Sequence, residues 1–235
     1  MRKWTAIWML AARAQGPWAL AAILVSTAFV AAAFFLAAPE GVAAASGVEA
    51  AVADSACALA SGLGLAALCA ALALPLSDLF GTRPGLTLLR LRVGERAALL
   101  HIAGFDAACL LMLWAAHASV LFLLAAQAGE AAAGLAFLRE GYLHSLLPVA
   151  DPPRLARNAV LCLSLGIAAA RFPAVLRRGR KPLALPVLLC ATLLFFSQEM
   201  GEWGGDVALG GLAALIAASQ IYALYAPEEE GGEAA

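Results

Sequence analysis

The chain alternates long apolar segments with short polar ones. Apolar runs of about 20 residues recur from Pro17 to Tyr225, and each is long enough to cross a hydrocarbon core of roughly 30 Å. Of the 235 residues, 63% are hydrophobic and 13% are charged, whereas ordinary soluble domains are about 25% charged. The pattern therefore predicts an all-α, polytopic membrane protein.

The apolar runs predict six transmembrane helices, at residues 17–38, 55–76, 97–127, 155–172, 183–197 and 207–225. The third run would make about 46 Å of helix, so we expect it to tilt, to kink near Gly104 or to project past the membrane.

Polar segments flank this domain of residues 17–226. Residues 1–16 carry Trp4 and Trp8 at helical spacing among basic side chains, which predicts a cytoplasmic amphipathic helix at the membrane surface. The alternative is that this segment extends the first span inward. Residues 227–235 are acidic and glycine-rich, and we expect a disordered tail.

Basic residues predict the orientation. Twelve of the fifteen Lys and Arg residues fall in residues 1–16, 79–96 and 171–181, which alternation of the spans places on one side. The positive-inside rule makes that side cytoplasmic, with both termini inside and the protein in the bacterial cytoplasmic (inner) membrane. Arg139, Arg154 and Arg157 are the exceptions on the outer side.

Acidic residues gather between the fifth and sixth predicted spans. Glu199, Glu202 and Asp206 lie in this outer segment beside Trp203. They predict a solvated acidic loop next to an interfacial tryptophan, or alternatively a vestibule that attracts cations.

The third span holds ionisable residues. A carboxylate such as Asp106 costs about 2.5–3.5 kcal/mol inside a span, so it should face protein or water. His117 follows three helical turns later on nearly the same face. Asp106 and His117, with His101 nearer the cytoplasmic end, are candidates for a polar pathway. Alternatively, Asp106 is protonated or hydrogen-bonds a neighbouring helix, and His117 merely lies near the outer half of the span.

The second outer segment alternates apolar and polar residues between Phe137 and Pro153. This pattern, which includes Tyr142 and His144, predicts a short extracellular amphipathic helix on the membrane surface. Pro148 would stop the helix, as would Asp151 with the two prolines after it.

The sequence lacks the motifs that are typical of several classes of function. There is no Walker-type nucleotide sequence and no GxSxG. The five cysteines lie in apolar runs without metal-ligand spacing, and the net charge of −1 gives no sign of nucleic-acid binding. We therefore expect no catalytic residues, no cofactor, no metal and no nucleic acid.

A short stretch before the third span resembles a known family. Thr87-Leu88-Leu89-Arg90-Leu91 is similar to a segment of the permease subunits of ABC-2 type transporters, which are mostly exporters. Six spans with a basic N-terminal segment fit the same resemblance. The segment 142–148, with Asp151 and Pro152 after it, is similar to permease-like proteins of bacterial ABC operons.

The resemblance implies partners and a docking site. In that family the loop between the second and third spans carries a coupling helix that binds a cytosolic ABC ATPase. Here that role would fall to Thr87, Leu88, Leu89, Arg90, Leu91, Arg92 and Arg96. Residues 86–93 can form an apolar helix face, but they also alternate as a strand would. A homodimer or a heterodimer with a second permease subunit, and contact with membrane lipids, are also implied.

The chain also departs from that family. Typical members place re-entrant helices between the fifth and sixth spans, whereas residues 198–206 are brief.

Two other functions stay open. A non-transporting accessory or assembly membrane protein would show the same spans. A lipid-modifying enzyme using Asp106 and the histidines would need cytosolic carboxylate clusters for Mg²⁺, and the two inner loops offer only Asp78 and Glu95.

Overall fold

The computed structural model describes residues 2–37, 48–77, 94–148, 151–197 and 203–225, and in these ranges it is helical without strands. Ten α-helices follow one another: α1 Arg2–Ala14, α2 Gly16–Ala37, α3 Val48–Ala53, α4 Cys57–Ala73, α5 Glu95–Ala125, α6 Glu130–Arg139, α7 Gly141–Leu146, α8 Pro152–Arg177, α9 Ala184–Phe195 and α10 Trp203–Tyr225. The all-α prediction is confirmed for this part of the chain.

Within the described ranges, four helices are long and apolar enough to cross a membrane. They are Gly16–Ala37, Glu95–Ala125, Pro152–Arg177 and Gly204–Tyr225, and they make the chain a multi-pass membrane protein. The apolar helices α4 and α9 have only 17 and 12 residues. Twelve residues make about 18 Å of helix, so six spans, like the cytoplasmic termini, stay predictions.

The helices of the bundle alternate in direction. Gln15 binds Leu72 and Cys57 binds Val30, so α2 and α4 are antiparallel. Pairing of Arg178 with Glu95 makes α8 antiparallel to α5. Contacts from α8 to α10 proceed in the same order along both helices, which makes that pair parallel: Arg157 with Asp206, Ser164 with Ala213, and Arg171 with Gln220.

The two ends of the bundle differ in charge. Arg13, Arg171, Arg177 and Arg178 lie at one end, here called the basic end. Arg154, Arg157 and Asp206 lie at the other, here called the ion-pair end. Local capping fixes where α8 begins at the ion-pair end, because Asp151 Oδ1 accepts a hydrogen bond from the backbone N–H of Arg154 at 3.2 Å. Pro152 and Pro153 occupy its first turn, where proline costs no hydrogen bond.

The central helix pair is α5 and α8. Their closest approach is at Gly166, where an added Cβ would lie 2.8 Å from the backbone nitrogen of Ala107 and 2.9 Å from the carbonyl oxygen of Ala103. Small residues allow membrane helices to approach this closely. The glycine thereby sets the spacing of the two helices on which the rest of the bundle packs.

The first helix packs against the bundle. Ile7 and Ala11 are buried, and the ring of Trp8 meets Phe105 edge-on at 5.9 Å. The helix therefore contacts α5 rather than only a membrane surface, and its cytoplasmic location stays a prediction. The loop residues 87–92 and the acidic tail 227–235 lie outside the described residues.

We predict that Gly166→Ala destabilises the protein by about 1–3 kcal/mol, the usual cost of overpacking, because the new methyl group meets backbone atoms. Thermal unfolding of the purified protein in detergent measures this as a lower Tm. Gly211→Ala is the matched control, since nothing lies within 4 Å of its added Cβ. An equal Tm for both variants would contradict the close approach of α5 and α8.

Candidate functional site

A cavity of about 460 Å³ lies between α4, α5, α8 and α9. This volume falls within the range of about 300–1,000 Å³ that small-molecule sites occupy. Its lining is mostly aliphatic, with contributions from each of these helices, for example Leu65, Leu110, Leu161 and Leu193. The cavity is therefore suited to an apolar molecule.

The mouth of the cavity faces sideways, between α4 and α9. Leu59 and Leu63 of α4 and Leu193 of α9 line the cavity and are also among the exposed large apolar side chains. The two helices nearly touch at one point, because a Cβ on Gly62 would lie 2.7 Å from Leu193 Cδ2. In a membrane protein such an apolar surface faces lipid or another subunit, so the mouth opens at the apolar outer surface of the bundle.

One wall of the cavity carries hydroxyl groups. The side chain of Tyr142, on α7, hydrogen-bonds that of Ser61, on α4, and the Trp114 indole N–H donates to the Leu146 carbonyl oxygen. Burial is the largest influence on the pKa of Tyr142 and raises it, so the hydroxyl group stays neutral. These contacts attach α7 to the cavity and supply polar atoms without charge.

His117 lines the cavity from α5. Its Nε2 lies 3.1 Å from Ser26 Oγ on α2, and Ser26 donates a hydrogen bond to the Ile23 carbonyl oxygen at 3.1 Å. Gly64 of α4 brings its backbone against the same two side chains, because an added Cβ would lie 2.4 Å from Ser26 Cβ and 3.5 Å from His117 Cε1. The histidine is thus held by two neighbouring helices.

A cluster of charged side chains lies beside the cavity at the ion-pair end. Asp206 of α10 accepts from Arg154 Nε at 2.7 Å and also pairs with Arg157. Asp151 lies 3.6 Å from Arg154 and 3.7 Å from the ring of His144. Arg154 and Arg157 are 1% and 4% exposed, and paired carboxylates are what allow arginines to be buried.

The charged cluster supports the cavity wall. The Arg157 guanidinium lies 5.1 Å from the ring centroid of Phe196 and donates to the Phe196 carbonyl oxygen and to Asn158. Asn158 in turn donates to the Ser145 carbonyl oxygen at 2.7 Å, next to Tyr142 on α7. Because Phe196, Asn158 and Tyr142 line the cavity, the ion pairs hold the residues that shape it.

Asp106 lies apart from the cavity. It is fully buried in the core, where its carboxyl group interacts with the side chain of Gln15. The Gln15 amide nitrogen donates a hydrogen bond to the Leu72 carbonyl oxygen. The structure therefore does not join Asp106 and His117 into one polar path.

The other predicted positions on α5 have local contacts. His101 Nδ1 lies 2.8 Å from the Ala97 carbonyl oxygen, one turn earlier. Arg96, the one proposed docking residue within the described ranges, lies with its guanidinium 5.7 Å from the ring centroid of Tyr225. Neither residue lines the cavity.

The predicted amphipathic segment forms parts of two short helices, and its location at the outer surface stays a prediction. Tyr142, His144 and Pro148 are buried, and the helix is broken in two at Glu140, whose carboxylate caps α7 by accepting from the backbone N–H of Leu143. Glu140 and His144, two of the polar residues that suggested a water-facing side, instead have partners within the protein. Of the four residues predicted for this segment, Asp151 is the most accessible, because its side chain is 27% exposed.

The sequence did not predict that Arg154 and Arg157 pair with Asp206. It placed the arginines as exceptions to an outer side free of positive charge, and it placed Asp206 in a solvated acidic loop. The sequence pattern did place all three residues on the same side of the membrane, and this shared side was its one indication that they could pair. Glu199 and Glu202 lie outside the described residues.

Comparison with known proteins yields no relative for this chain: no family model, no curated protein and no solved structure matches it.

We predict that Asp206→Asn destabilises the protein by about 3 kcal/mol, the cost of leaving a buried charge without its partner. The stability falls because Arg157 loses the carboxylate with which it pairs. Chemical unfolding in detergent measures the change in the free energy of unfolding. Glu95→Gln is the control, because its pair with Arg178 is exposed and exposed pairs are worth about 1 kcal/mol or less. If both variants lost equal stability, the ion pairs at Asp206 would not have the structural role assigned to them.

Proposed function

We propose that the protein is a membrane permease subunit that binds a lipophilic molecule in the cavity between α4, α5, α8 and α9. The cavity itself is the observation that carries this proposal. Its size suits a small ligand, its lining is apolar, and its mouth lies between exposed apolar side chains. A molecule dissolved in the acyl chains can enter it without crossing water.

The chain would act with a separate ATPase as an ABC-2-like exporter in the bacterial inner membrane. The resemblance of residues 87–91 to ABC-2 permeases supports this proposal. A mechanical argument supports it as well, because α5 begins at Glu95, directly after the proposed docking loop. The helix continues unbroken to Ala125 and contributes Leu110, Leu113 and His117 to the cavity. Movement of the loop would therefore reach the cavity wall through one rigid helix.

A non-transporting accessory role is the second candidate. The surroundings of Asp106 favour it, because this acid lies in a closed core instead of lining a path across the bundle. An accessory protein would retain the cavity as a lipid site but would need no ATPase.

We predict that Ala66→Phe blocks the cavity. Labelling by a photoreactive hexadecyl methyl ether that carries a diazirine should fall about fivefold or more, since overpacking a filled site costs about 1 kcal/mol or more. Peptide mapping of purified protein in nanodiscs measures the labelling of residues 105–118.

The neighbouring substitution Ala67→Phe is the matched control, because Ala67 is exposed and does not line the cavity. Equal labelling of both variants at these peptides would remove the cavity as the binding site.

We predict that tagged protein from native membranes retains an ATPase with Walker motifs, and that Arg90→Glu with Arg92→Glu loses it through reversed charge in the docking loop. Mass spectrometry of the co-purified proteins is the measurement. Arg139→Glu is the control, since Arg139 is exposed and ends α6, toward the opposite end of the bundle. Recovery of the unaltered protein without any ATPase would support the accessory role instead.

A further inference from the structure

We propose that the cavity takes an uncharged lipophilic alcohol, whose hydroxyl group donates a hydrogen bond to Nδ1 of His117. This inference rests on the proposed function of the cavity as a binding site and names the class of ligand. It follows from the hydrogen-bond inventory of the cavity wall.

The tautomer of His117 follows from its partner. A serine hydroxyl has a single hydrogen, and Ser26 donates it to the Ile23 carbonyl oxygen. The contact between Ser26 Oγ and His117 Nε2 therefore needs its hydrogen from the histidine. A neutral imidazole with its proton on Nε2 has an unprotonated Nδ1, which is an acceptor.

Nδ1 of His117 is available to a ligand. Ser26 engages Nε2 of this ring, and Nδ1 has no hydrogen-bond partner among the described residues. The residue is only 3% exposed overall and lines the cavity, so a ligand in the cavity lies within reach of its ring. An acceptor in an apolar site without a donor is costly, and a ligand hydroxyl would supply that donor.

The remaining polar atoms of the wall are largely engaged. Thr192 donates to the Leu188 carbonyl oxygen, and Asn158 binds Arg157 and the Ser145 carbonyl oxygen. The pair of Ser61 and Tyr142 has two hydroxyl hydrogens and uses one between them, which leaves one donor. Ser61 lies three residues before Gly64, or about 4.5 Å along α4, and Gly64 faces the His117 ring.

The wall thus offers Nδ1 of His117 as an acceptor and, about one helical turn away, the spare hydroxyl hydrogen of the Ser61 and Tyr142 pair as a donor. A ligand hydroxyl can give a hydrogen and accept one. Ser197, an exposed lining residue, adds a further hydroxyl. No lining residue within the described ranges is Asp, Glu, Lys or Arg. A charged group on the ligand would find no counter-ion in the cavity, and an unpaired charge is expensive there. The part of the ligand that enters is therefore neutral.

The test compares two photoreactive probes on the intact protein in nanodiscs. One is a diazirine-bearing hexadecanol and the other is its methyl ether, which accepts a hydrogen bond but donates none. We expect the alcohol to label residues 105–118 with about fivefold higher apparent affinity, the size of one net hydrogen bond. Equal affinities would overturn the alcohol inference and leave the cavity as a binding site. Failure of both probes to label these peptides would instead overturn the proposed function.

A variant locates the hydrogen bond. In His117→Leu the side chain can neither donate to nor accept from a ligand, and Ser26 keeps its hydrogen bond to the Ile23 carbonyl oxygen. The affinity for the alcohol should fall to that for the ether, while the affinity for the ether stays unchanged. Retained preference for the alcohol in a folded His117→Leu protein would exclude Nδ1 of His117 as the acceptor. If the variant does not fold, the comparison of the two probes on the unaltered protein still decides the inference.

Discussion

The contact of Asp206 with Arg154 and Arg157 is the interaction on which the cavity end of the bundle depends. Both arginines are buried, and a buried guanidinium persists only with a carboxylate and hydrogen-bond acceptors around it. With Asp206 in place, Arg157 supports Asn158, and Asn158 holds the backbone of α7. That helix presents Tyr142 to the cavity. The ion pairs of Arg154 and Arg157 with Asp206 thereby determine the shape of a cavity whose own lining residues are uncharged.

The sequence was enough to predict the long apolar helices, but it was not enough to predict which side chains of different helices contact each other. Apolar run length predicted helices where α2, α4, α5, α8, α9 and α10 lie, because every backbone hydrogen bond in such a helix is local. It did not predict α3 and α6, and the count of six spans stays a prediction. The third predicted span, 97–127, corresponds to Glu95–Ala125. The contacts of Asp206 cross 49 and 52 residues of chain, and no local pattern encodes them. The burial of Tyr142 and His144 was missed for the same reason.

Asp106 and His117 show the limit of reasoning from one helix. Eleven residues place both on nearly the same face of α5, as predicted, but a long helix meets different neighbours along its length. His117 meets Ser26 in the middle of α2 and borders the cavity. Asp106 lies nearer the basic end, beside Gln15 at the junction of α1 and α2. The two side chains therefore have separate surroundings, although they project from nearly the same face of α5.

The cavity lies at a seam between two groups of helices. On one side α4 packs along α2, and on the other α9 packs against α8 and α10, with α5 in contact with both α2 and α8. Helices α4 and α9 meet over only a short stretch near Gly62 and Leu193. Widening this seam would leave the backbone approach of α5 and α8 at Gly166 in place, but it would move Phe196, whose carbonyl oxygen accepts a hydrogen bond from Arg157. The proposed access from the lipid is therefore coupled to the ion pairs of Asp206 and independent of the spacing of the central helix pair.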